Sequence, residues 1–109
     1  MAKQITLPYE GKTYILEFTR KSVEGMERQG FKAAELLEKP MVMLPILFAG
    51  AFRAHHPYQN PKVIERIFDS VTNKQELVSK LAEMYSEPLE AMLSDPEEDS
   101  GNVTWEANW

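Results

Sequence analysis

His55 and His56 are the chain's only histidines, and they are adjacent. On a helix, neighbouring side chains point about 100° apart. One metal ion does not readily take both, because helical ligand pairs sit at i and i+4. Histidines at a helix end more naturally meet the terminal carbonyls. Glu83, Glu87 and Glu90 share a helical stretch and are the carboxylates available for acid–base work. That work further needs a cleft and shifted pKa values; at helical spacing the three read as a solvated face. No Ser-His-Asp order, glycine-rich phosphate loop or P-loop lysine is present. Zero cysteines remove disulfide and thiolate chemistry. The expectation is a non-enzymatic protein with no catalytic residue, no metal ligand and no cofactor.

Binding is better supplied. Both tryptophans, Trp105 and Trp109, lie in the last five residues, behind Asp95-Pro96-Glu97-Glu98-Asp99. Aromatic side chains of this kind anchor protein contacts. Five of the seventeen acids fall in residues 95–109 and none of the twelve bases does. Residues 1–94 are therefore formally neutral, and the net charge of −5 belongs to the tail. Six methionines are many for 109 residues. Met26, Met41, Met43, Met84 and Met92 offer either an adaptable docking surface or, more commonly, core filling. The candidate partner-binding residues are Trp105, Trp109, Val103, Met84 and Met92. A neutral body with Arg20-Lys21 as its one basic cluster excludes nucleic acid, whose phosphates demand clustered cations. The longest apolar run, Pro40 to Phe52, is too short for a membrane span of about 20 residues.

The elements that must position these residues form one α+β domain over residues 1–94, followed by an acidic linker and aromatic tail over 95–109. Residues 3–18 read as a β-hairpin turning at Glu10-Gly11. Leu7 then faces Tyr14, Ile5 faces Leu16 and Lys3 faces Phe18 on one side. Gln4, Thr6, Pro8, Thr13, Ile15 and Glu17 take the other, mostly polar side. Glutamate is not ideal at the first turn position, so a longer loop is an alternative. A helix over 20–29 is capped by Thr19 or Ser22 and stopped by Gly30. The core helix runs over 41–56, with Leu44, Leu47, Phe48, Ala51, Phe52 and His55 on one stripe. Its other side is also apolar, so it is expected to be surrounded. Ala49-Gly50-Ala51 leaves room for close approach. Pro45 either sits in the first turn or kinks the helix. Asn60-Pro61 opens a helix to about 71. Asn73 with Glu76 resembles a capping box for the last helix, which is bent near Pro88 and ends at about Leu93. Val103, Trp105, Ala107 and Trp109 alternate at period two, as in an extended strand that pairs with the hairpin edge or docks elsewhere.

Several segments together resemble a family of small tail-module proteins from long-tailed phages and prophages of Gram-positive bacteria, similar to tail assembly chaperones. The segments are Ile5 to Lys12 with Leu16 to Arg20, Met43-Leu44-Pro45 with Leu47 to Phe52, and His55-His56. Asn73 to Leu77, Met84 to Pro88 and Gly101 to Trp105 complete them. The resemblance spans nearly the whole chain. It implies a chaperone that binds the tape measure protein, which is long, helical and apolar in patches, while the tail tube polymerises. It also implies self-association and a place in the bacterial host cytoplasm, where the absence of an apolar leader would also put the chain. The alternative reading is a structural tail or head–tail connector subunit retained in the virion.

Overall fold

The computed structural model describes residues 3–94 and 103–109. The linker expected over 95–102 lies outside the described residues. Strands β1 (Ile5–Tyr9) and β2 (Lys12–Leu16) pair antiparallel, with Leu7 opposite Tyr14 and Ile5 opposite Leu16. Glu10 and Gly11 both take positive φ, 47° and 80°, so the hairpin closes on a two-residue primed turn that matches the strand twist. The longer loop is not formed. The ladder ends at Ile5 and Leu16, so Lys3 and Phe18 do not pair across it. Phe18 instead packs edge-on against Tyr85, ring centroids 5.4 Å apart.

Helix α1 (Arg20–Arg28) opens with a full capping box. Thr19 Oγ1 accepts from the Ser22 amide and Ser22 Oγ accepts from the Thr19 amide, so Thr19 is the cap of the two candidates and Ser22 its third-position partner inside the helix. Gly30, at φ 97°, lets the chain leave the helix. A single 3-10 turn, Ala33–Glu35, follows. Helix α2 spans Pro40–Phe52, shorter at its end than the expected 41–56. Pro40 takes the first-turn position, which leaves Pro45 inside the helix at the cost of one main-chain bond. Helices α3 (Pro61–Ser70) and α4 (Lys74–Leu93) complete the body. Asn60 caps α3 by accepting from the Lys62 amide at 2.8 Å. The capping box expected at Asn73 is not formed: Asn73 sits at φ 53° and its amide donates to the Glu76 carboxylate. Helix α4 runs on through Pro88.

The hairpin's dry face, α1, α2, α3 and α4 meet around Tyr14, Leu16, Met26, Phe48, Phe52 and Ile67, all buried. Burying apolar area of this kind contributes about 25 cal/mol per Å². α2 is central but not surrounded. Its second half is buried, whereas Met41, Val42 and Pro45 in its first half are exposed. Among the described residues no helix is long and apolar enough to cross a membrane.

The close approach expected at Ala49-Gly50-Ala51 occurs at Gly50, where the buried Met26 thioether lies in the space a Cβ would occupy. Gly25 is also crowded, but only by the far end of the Arg53 side chain. Gly50→Ala should therefore cost about 1–3 kcal/mol by overpacking. Gly25→Ala should cost far less, because the guanidinium can swing aside and alanine favours helix. Denaturant melts of the two variants check this; equal costs would contradict the packing account.

Candidate functional site

Of the titratable residues flagged by spacing, His55, His56, Glu83 and Glu87 contact the hairpin or the residue leading into it, and the Glu90 side chain has no such contact among the described residues. At the end of α2 the chain turns back at Arg53–His56, and three interactions hold β2 there. The Glu17 amide donates to the Ala51 carbonyl at 3.0 Å. The Ile15 amide donates to His56 Nε2 at 3.0 Å. His55 Nε2 lies 2.6 Å from Glu17 Oε1. Since His56 Nε2 accepts, its lone pair must be free and the ring neutral. Burial, then the neighbouring His55 and Lys12 charges, push the His56 pKa below its ordinary 6.5. Glu17 is held below the usual carboxylate range, first by the His55 bond and then by Gln4, which donates to it at 3.0 Å. The histidines therefore do not converge on a shared ion. Among the described residues no group of three or more His, Asp or Glu is placed to hold a metal ion.

The α4 carboxylates meet the same open end of the hairpin from the side of β1. Glu83 meets Lys3 Nζ at 2.9 Å and Glu87 accepts from the Lys3 amide at 3.2 Å. The Lys3–Glu83 side-chain bond raises the Lys3 pKa and lowers that of Glu83. Both side chains are exposed, and pairs of this kind contribute little.

The candidate partner-binding residues divide. Trp105, Trp109 and Val103 stand in open solvent, the indoles at 83% and 102% exposure. Residues 103–109 form neither helix nor strand, and the sheet has two strands, so the extra strand on the hairpin edge is absent among the described residues. Met92 is exposed on the last turn of α4. Met84 requires a correction: it is 4% exposed within the core and offers a partner no surface. Its place on the α4 stripe with Leu81 puts it inward. Met26 and Met43 are likewise buried, whereas Met41 is 89% exposed.

Of the grooves that open on the body, two stand out. One, of about 590 Å³, lies between the first half of α2 and α3 and is mainly apolar: Met41, Leu44, Pro45, Phe48, Ile64 and Phe68 line it. Glu65 and Asp69 stand on its wall. The other, of about 750 Å³, lies between α1 and the turn after α2. Lys21, Arg28 and Arg53 line it with Glu24, Pro57 and Tyr58. Arg28 pairs with Glu24. Arg53 and Lys21 have no acidic partner among the described residues, and Tyr58 is 97% exposed. This basic groove was not legible from the sequence, because Arg53 reaches it from a different element than Lys21 and Arg28. The apolar groove had a signal in the two-sided apolarity of α2, which reads equally well as full burial.

An α+β domain with two open grooves and a pair of bare indoles is the class these features define. The chain belongs to a family described as a domain of unknown function (DUF5055), whose family model matches residues 1–109. No curated protein and no solved structure matches the chain.

Proposed function

We propose that this protein is a tail assembly chaperone of long-tailed phages or prophages, a non-enzymatic, self-associating protein that holds the tape measure protein in the host cytoplasm while the tail tube polymerises. The observation that carries the reading is the uncovered apolar groove between α2 and α3, with Met41 exposed in it and Leu37 and Val42 exposed nearby. An amphipathic helix of a long, patchily apolar client can lay its apolar face into such a groove. Methionine at the rim adapts to a non-uniform client, since its unbranched thioether repacks at low cost. Apolar surface left open in this way marks interaction sites. The resemblance of nearly the whole chain to tail-module proteins supports the same reading.

Co-expression with the tape measure protein of the same phage or prophage tests it. The two should co-purify, and the tape measure protein should stay in the supernatant only when this chain is present. Met41→Glu, on a side chain that supports no core contact, should leave the melting curve unchanged and abolish retention. Failure of the wild-type pair to co-purify would overturn the proposal.

A further inference from the structure

We propose that the basic groove between α1 and the turn after α2 receives the Val103–Trp109 segment of a second copy of this chain. The groove holds an unsatisfied cation set. Arg53 lays its guanidinium across Gly25, and with Lys21 it faces the groove without an acidic partner among the described residues. A planar guanidinium with no partner to hold it can swing onto a carboxylate and offer its face to an aromatic ring. Pro57 and the exposed ring of Tyr58 supply apolar wall beside it.

The segment Val103–Trp109 is the complement. It carries Glu106 between two indoles, and residues 95–109 hold all of the chain's net negative charge while the rest is formally neutral. Glu106 meets Arg53, the indoles stack on the guanidinium and on Tyr58, and the acids at 95–99 steer the approach. A single chain covers neither partner, since the indoles are bare and the groove is open. A second copy covers both, and reciprocal exchange about a two-fold axis satisfies two segments and two grooves at once. Four indoles bury about 150–250 Å² each. With the matching groove surface this reaches the roughly 1,200–2,000 Å² of a stable interface. The apolar α2–α3 groove is the poorer host for this acidic segment, because Glu65 and Asp69 line it.

Light scattering on the purified full chain, with no other protein present, reads the outcome. The inference rests on the self-association in the proposed function and not on its client, so the failure or success of tape measure binding leaves it untouched. The wild type should form a dimer that dissociates at 1 M salt, where the screening length is about 3 Å. Trp105→Ala with Trp109→Ala should yield monomer. Arg53→Glu and Lys21→Glu should each weaken the dimer by about tenfold or more. Lys21 is exposed and guards against a folding defect at Arg53. Combining Arg53→Glu with Glu106→Arg should restore association. A wild-type monomer at every concentration overturns the proposal. So does a dimer indifferent to the groove and tail variants, or one lost only on substituting Met41 or Phe68 in the other groove.

Discussion

Phe52→Ala should lower stability by about 3–5 kcal/mol, the range for deleting a buried aromatic ring and leaving a cavity. Phe52 is 1% exposed at the last turn of α2. Its ring meets Tyr14 of β2 edge-on at 5.6 Å and Phe48 at 5.2 Å. Each such pair contributes about 0.5–1.5 kcal/mol beyond area burial. One substitution therefore loosens the core helix and the hairpin together. Domains of this size are stable by only about 5–15 kcal/mol, so the loss is a large fraction of the whole. At about 4–8 °C per kcal/mol the melting temperature should fall by roughly 12–40 °C. Lys62→Ala, on an exposed side chain of α3 outside both grooves, is the control and should leave the melt within about 0.5 kcal/mol. A Phe52→Ala loss below about 1 kcal/mol would show that Phe52 does not join the two elements.

The hairpin's register was legible from Ile5 to Leu16, though not its extent to Lys3 and Phe18, because only the pairing of Leu7 with Tyr14 and Ile5 with Leu16 puts the large apolar side chains on one face. The helices were legible where punctuation is unambiguous, as at Asn60-Pro61, whereas Thr19 and Ser22 were alternatives of which Thr19 is the cap. Boundaries failed where local chemistry permits two outcomes. The α2 stripe continues to His55 on paper, yet the helix stops at Phe52. Ending there lets His55 and His56 turn to Glu17 and Ile15, long-range partners that no local pattern encodes. Asn73 and Glu76 have the spacing of a capping box, but a left-handed Asn73 turns its amide to the glutamate instead.

The surfaces were less legible than the core. Methionine identity does not say which side chain is buried, and Met84 and Met41 end in opposite environments because their helices present different faces to the core. The period-two aromatic segment reads equally as a strand on the hairpin edge or as a segment that docks elsewhere, and the bare indoles match the second reading only in leaving that edge unpaired among the described residues. The basic groove is assembled from α1 and the chain beyond α2 and has no linear signature.

Acid should weaken the protein in two steps, with the hairpin anchor as the cause. His56 must be neutral to accept the Ile15 amide, and its folded pKa lies below the unfolded 6.5. The unfolded chain therefore takes the proton first as pH falls. The stability this group supplies is complete above about pH 6.5 and is lost as pH drops from there through the folded value. Glu17 has the same sign at lower pH. Its folded pKa lies below the ordinary 4.5, so its contribution is present above that value and is lost as pH falls through the folded one. Protonating His56 strands the part-buried Ile15 amide, which costs about 1–3 kcal/mol. Denaturant melts from pH 8 to 3 should show a plateau above about 6.5, a first decline below it and a steeper one below about 4.5. His56→Gln can offer an amide oxygen to Ile15 without titrating, so it should flatten the first decline while leaving the second. Glu17→Gln should blunt the second. A first decline that persists in His56→Gln would place its origin elsewhere and leave the His56 contact without a role in acid sensitivity.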